Sequence, residues 1–149
     1  MREYMNLAYE EAKKAYKEGE VPVGCVIIKG EEVIARAHNK TVFTSDKTAH
    51  AEMLALKEAM AVLGSSILKG CELYVTLEPC PMCAYSMLNL GIRKVVFGAS
   101  DETFGSFGSY INLASKFKNV HVYGGIEEEK CEQILKKFFK EIRKGEKNE

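Results

Sequence analysis

The chain lacks net charge: its 21 basic and 21 acidic side chains cancel. A protein without an overall field is not drawn as a whole to a polyanion or an anionic membrane, so any RNA partner has to be met by a local patch. It also lacks a long hydrophobic run. Nowhere do the roughly 18 successive apolar residues of a spanning helix occur, and the opening residues, Met1-Arg2-Glu3-Tyr4-Met5, are mixed and charged. The expectation is a cytoplasmic protein with no membrane association. No internal repeat and no low-complexity segment is present. Five cysteines, an odd number with no signal-peptide pattern ahead of them, argue against a disulfide framework and for reduced thiols or metal ligands.

What is there suits one domain over residues 1–149, since 46% of the residues are hydrophobic and the length can bury one substantial core. Tyr4, Leu7, Ala8, Ala12 and Ala15 recur at helical spacing over residues 2–18, with Gly19 as a stop. Residues 21–28 and 32–37 are β-rich runs around a Lys29-Gly30-Glu31 turn, and a helical pattern fills 49–63. An apolar run at 71–77 leads to a helix opening at Pro79-Cys80-Pro81 and reaching about residue 90. A second run at 95–99, a short helix at 111–116, an edge strand at 120–123 and a closing helix beyond Gly124-Gly125 complete the chain. This alternation predicts a three-layer α/β domain, a sheet covered on its faces by helices.

The strongest local signal is Thr76-Leu77-Glu78-Pro79-Cys80-Pro81-Met82-Cys83, at a strand end where a helix begins. Two cysteines three apart there project from one side. The partial positive charge of a helix N-terminus favours the thiolates that zinc binds. Upstream, Thr48-Ala49-His50-Ala51-Glu52 also stands where a helix begins. His50 with Cys80 and Cys83 would make three protein ligands and leave a fourth position for water, the arrangement of a catalytic zinc. Glu52 is the candidate proton shuttle. Residues two apart in a regular helix point about 200° from each other, so His50 and Glu52 share a site only if the segment is still turning into its helix.

Other readings stand beside this one. Cys80 and Cys83 also fit a redox pair, and a structural zinc would need Cys25, Cys71, His38 or His121 as fourth ligand. Cys25 and Cys71 lie in apolar runs and read as core thiols; Cys131 has no partner to suggest a role. Pro22 suits an edge strand and Asn39 a turn. Residues 130–147 carry seven basic side chains against three acidic ones, either a solvated helix face or a set of phosphate contacts. Phe104, Phe107 and Tyr110 fit either base stacking or core packing.

Taken together, these residues resemble the cytidine-deaminase-like zinc hydrolases, and within them the bacterial tRNA adenosine deaminases. His-x-Glu followed by Pro-Cys-x-x-Cys is the known signature of zinc-dependent base deaminases, so the link to that chemistry comes from the resemblance. The likeness runs from about Tyr4 to Arg143. It includes Glu20-Val21-Pro22-Val23-Gly24, Asn39, residues 48–52, residues 73–80, Val95-Val96-Phe97-Gly98-Ala99, Gly105 and Gly108-Ser109. Asp46-Lys47-Thr48 stands where the family has Asp-Pro-Thr, and the segment before His121 lacks the family's Asn-His pair.

The resemblance implies an α/β/α fold with a mixed sheet of about five strands and one Zn2+ per chain. It implies hydrolytic conversion of adenosine to inosine at the wobble position of a tRNA anticodon stem-loop, by a homodimer. Pro22 and Val23 would lie against the base and Asn39 would bond base or ribose. The backbone at Leu77 and Glu78 would sit near the reacting oxygen, with Ala51 and Pro79 completing the substrate-binding set. The alternatives are a deaminase of a free base or nucleoside, of guanine or cytosine type, and a non-catalytic zinc-stabilised RNA-binding module.

Overall fold

The computed structural model describes residues 1–147. Its elements are α1 (Arg2–Lys17), β1 (Gly24–Lys29), β2 (Glu32–His38), α2 (Ala51–Leu63), β3 (Cys71–Leu77), α3 (Pro81–Asn89), β4 (Lys94–Ala99), a 3-10 turn (Leu113–Lys116), β5 (His121–Tyr123) and α4 (Glu128–Lys147). The strands form one mixed sheet in the order β2-β1-β3-β4-β5. Strand β1 runs antiparallel to β2 and β3, whereas β4 is parallel to β3 and β5.

Side chains alternate across a strand, and in the central strands both sets are apolar because both faces are covered. Cys25, Ile27, Leu73, Val75, Val95 and Phe97 pack on one face with Ala55, Leu56, Cys83 and Met87 of α2 and α3. Val26, Ile28, Tyr74 and Val96 pack on the other with Met5 and Ala8 of α1 and Cys131 of α4. This is the three-layer α/β/α arrangement expected, with the core divided by the sheet. Helix α1 lies so close to β1 that a Cβ on Gly24 would stand 1.9 Å from the Ala8 carbonyl oxygen, so only glycine fits there. Among the described residues no helix is long and apolar enough to cross a membrane.

Three boundaries differ from the sequence expectation, and each has a local cause. The first strand starts at Gly24 rather than near residue 21, because the Val23 N–H turns back onto the Val21 carbonyl at 2.8 Å around Pro22, which has no N–H to pair. Helix α2 starts at Ala51 because the amides of Ala49 and His50 are already bonded to the carbonyls of Asp46 and Thr48. The short helix of residues 111–116 contracts to a 3-10 turn whose first free amide, that of Ala114, is capped by the Asn112 side chain at 3.1 Å.

Candidate active site

One end of the sheet collects the start of β1 at Gly24 and the ends of β2, β3 and β4 at His38, Leu77 and Ala99. The signature residues gather here. His50 is the N-cap of α2 and Cys80 the N-cap of α3, both in extended backbone (φ −71°, ψ 151° and φ −74°, ψ 171°). This meets the geometric requirement: His50 is not yet in the helix, so its ring and the Glu52 carboxyl turn to the same place. Cys83, one turn into α3, is fully buried.

The His50 Nδ1 atom lies 3.6 Å from the Cys80 sulfur and 3.4 Å from the Cys83 sulfur. Zinc at the usual bond lengths, about 2.05 Å to nitrogen and 2.3 Å to sulfur, holds such a tetrahedral N···S pair at roughly 3.6 Å. All three donor atoms lie within 4.8 Å of one another, and among the described residues no fourth His, Cys, Asp or Glu joins the group. The donor set therefore fits a tetrahedral ion with one position free. Cys25 and Cys71 are buried core thiols, the His38 ring is bonded to Glu11 and Glu18, and His121 is exposed on β5. None of them is a fourth ligand.

The electrostatics suit a pre-set site. The Cys83 thiol donates to Cys80, and with His50 this brings the Cys80 sulfur down to about 4. The same donation, with burial, pushes the Cys83 thiol up. The Cys80 sulfur in turn raises His50. Burial, with a smaller push from Cys80, raises the Glu52 carboxyl to about 7.

Beside these groups is a cavity of about 230 Å³ lined by Val21, Val23, Asn39, Thr41, His50, Glu52, Leu77, Glu78, Cys80, Asp101 and Phe104. It is smaller than the roughly 300–1,000 Å³ of drug-sized sites, so its occupant is a small group. Val23, Asn39, Leu77 and Glu78 of the expected substrate set are in its wall. Pro22, Ala51 and Pro79 are not. Val21 lines the wall beside Pro22, Ala51 donates its N–H to the Asn39 Oδ1 at 2.7 Å, and the Pro79 carbonyl accepts from the Ser106 amide at 2.9 Å. With its oxygen so engaged, Asn39 keeps its amide NH2 for a ligand. Of the three aromatic residues singled out, Phe107 is buried, while Phe104 and Tyr110 are exposed.

Two carboxylates have roles that residue spacing did not reveal. Glu78, fully buried, accepts the amides of Asp101 (3.2 Å), Phe107 (3.0 Å) and Ser109 (3.1 Å) and the Ser109 hydroxyl, so the loop after β4 is wound around it. Gly105 is required by this winding, since a Cβ there would lie 2.4 Å from the Glu78 carboxyl carbon. Glu20, equally buried, accepts the amides of Val42 (3.0 Å) and Phe43 (2.8 Å) and the Thr41 hydroxyl, holding the loop after β2. Their one sequence signal is an acid at the edge of an apolar run. In the closing basic segment, Lys130 and Lys136 pair with Glu127 and Glu132, and Lys137 lies over the Tyr16 ring. The side chains of Glu146 and Lys147 in that segment lie outside the described residues.

Residues 1–99 match the family model for the cytidine and deoxycytidylate deaminase zinc-binding region. Over 147 residues the chain is 47% identical to the tRNA-specific adenosine deaminase of Bacillus subtilis (strain 168), covering 97% of this chain and 91% of that protein. The chain belongs to the cytidine and deoxycytidylate deaminase family, in its tRNA-specific adenosine deaminase branch. Another member of that branch, from Aquifex aeolicus (strain VF5), is 44% identical over 144 residues, 94% of each chain. Among solved structures, one from biochemical and structural studies of A-to-I editing by tRNA:A34 deaminases is 37% identical with a TM-score of 0.82, covering 91% of this chain and all of that one. The guanine deaminase of Bacillus subtilis is 34% identical with a TM-score of 0.63, covering 66% of this chain and 63% of that one.

Proposed function

We propose that this chain is a hydrolytic deaminase converting adenosine to inosine at the wobble position of a tRNA anticodon, with one zinc ion per chain held by His50, Cys80 and Cys83. The observation that carries the reading is the buried Glu52 carboxyl set beside three donor atoms at tetrahedral spacing, in a small cavity. The relatives' names supply the substrate. An anticodon loop offers a base already unstacked, which removes most of the few kcal/mol that extrusion from a duplex costs.

When bound, zinc supplies the activated water and Lewis acidity that displacement of an exocyclic amine requires at neutral pH. Glu52 moves the protons: it takes one from the attacking water and passes it to N1 of the purine, then takes the second from the hydroxyl left on C6 and delivers it to the departing exocyclic nitrogen as the C6 carbonyl forms. Adenosine and water give inosine and ammonia. Burial favours the protonated form of the Glu52 carboxyl, which suits a group that must give protons as well as take them. Val23 and Leu77 hold the base and exclude bulk water, and the Asn39 amide donates to base or ribose. Glu78 forms part of the wall, and Pro22, Ala51 and Pro79 shape the site through the backbone next to its lining. The chain acts as one domain over residues 1–149, as a cytoplasmic homodimer.

The test is incubation of zinc-loaded protein with an anticodon stem-loop carrying adenosine at the wobble position, beside free adenosine, cytidine and guanine, with products read by mass. Inosine in the stem-loop alone supports the proposal. Product only from a free base or nucleoside overturns the substrate while keeping the chemistry; no product from zinc-loaded protein points to a non-catalytic module.

A further inference from the structure

The two loops held by Glu20 and Glu78 flank the base cavity. They follow β2 and β4, which end at the same sheet edge with β1 and β3 between them. Three strand spacings separate them, about 14 Å. Thr41 from the first loop and Asp101 and Phe104 from the second are in the cavity wall. Each loop also presents an exposed phenylalanine: Phe43 is 85% exposed and Phe104 57%. Phe43 is not loosely placed, since its own amide is bonded at 2.8 Å to the buried Glu20 carboxylate. A large apolar ring carried on a bonded backbone and left in solvent gains nothing for the fold, because it buries almost no surface.

We propose that Phe43 and Phe104 are stacking platforms for the bases on either side of the reacting adenine, with Glu20 and Glu78 as the positioning residues that hold them. This rests on the proposed function, which brings a single strand to the cavity. A strand that inserts one base there must extend to both sides, and every base presents a face that stacks on an aromatic ring. Phe104 stands in the cavity wall on one side, and Phe43 follows two residues after Thr41 of the wall on the other, so the two rings are placed to meet such a strand. The buried carboxylates act on the backbone: Glu20 accepts the Phe43 amide itself, and Glu78 accepts the Asp101 amide, whose side chain accepts the Phe104 amide at 3.3 Å, so the loops are held while the rings stay in solvent.

The test compares wild type with Phe43→Ala, Phe104→Ala and Phe43→Trp on the anticodon stem-loop, with 2-aminopurine placed next to the wobble position on either side. Loss of one stacked base, about 1–3 kcal/mol, corresponds to a roughly 5- to 150-fold effect. We expect the alanine variants to raise KM by that factor, with the loss falling on KM rather than kcat. Phe43→Trp should restore wild-type behaviour, and 2-aminopurine fluorescence should be quenched by wild type and not by the matching alanine variant. Phe104→Ala should cost less in a Glu78→Gln background than in wild type, since a ring no longer held has less to lose. Unchanged KM and quenching in both alanine variants overturn the proposal. So does a KM rise accompanied by a change of oligomeric mass, which would make Phe43 a subunit contact. Failure of wild type to deaminate the stem-loop sinks the proposed function itself, and is seen before any variant is made.

Discussion

Replacing Glu78 with Gln removes one charge and one acceptor atom from the hub of the loop after β4. One carboxylate oxygen accepts from the amides of Phe107 and Ser109; the other accepts from the Asp101 amide and the Ser109 hydroxyl. The glutamine oxygen takes the first position, because two N–H donors there cannot turn away. Its NH2 then faces the Asp101 amide. The Ser109 hydroxyl can rotate to accept, but the Asp101 N–H is left unsatisfied. An orphaned buried donor costs about 1–3 kcal/mol, and the remaining bonds lose their charge assistance, so a total of about 3 kcal/mol is expected. For a chain of this size that lowers Tm by roughly 6–12 °C. Amide hydrogen exchange should speed up at Phe107 and Ser109 before it does in the central strands, while zinc content stays near one per chain. A Tm within about 2 °C of wild type, with unchanged exchange at those two amides, would refute the assignment of Glu78 as the hub.

Glu52→Ala should lower turnover by at least roughly 10²–10⁴-fold while zinc, measured by atomic absorption, stays near one per chain; retained turnover removes Glu52 from the mechanism. Cys80→Ser and Cys83→Ser should each lose zinc on dialysis, and metal retained in both single variants defeats the ligand set. Zinc uptake by metal-stripped protein should release protons, because the Cys83 thiol, pushed up by its donation to Cys80 and by burial, must deprotonate to become a ligand. Calorimetric titration in two buffers of different ionisation enthalpy reads this directly. Burial alone would raise Glu11, but Lys14, His38 and Arg36 outweigh it and hold the carboxyl below its ordinary 4.5. A depressed acid stabilises the fold above its unfolded value, and that stability is lost as pH falls through the folded one. Glu11→Gln should therefore be less stable than wild type at pH 7, with the deficit closing on acidification below about pH 4; a constant gap from pH 7 to pH 3 in urea melts would contradict it.

The elements were legible because both periodicities are strong: the alanines of α1 recur at helical spacing, and the apolar runs of β3 and β4 suit strands covered on both faces. The metal group was legible because its cysteines are close in sequence and its histidine stands at a helix start of its own. Val21-Pro22-Val23 has strand composition, yet the missing proline N–H and the Val23 turn keep it out of the ladder and bring Val21 to the cavity. Glu20 and Glu78 were not legible as anchors. Their partners lie 21–31 residues away and are mainly backbone amides, which carry no residue identity.

The cavity draws its wall from five separated stretches of chain, between Val21 and Phe104. In kinetic terms the site is made of contacts that close long loops, so it forms after the local hairpin of β1 and β2 and cannot be complete until β4 has paired with β3. The two cysteines are the exception, a local pair available as soon as residue 83 has been synthesised. His50, 30 residues before Cys80, joins them only once α2 has docked on the sheet, so the full donor set exists only in the closed topology.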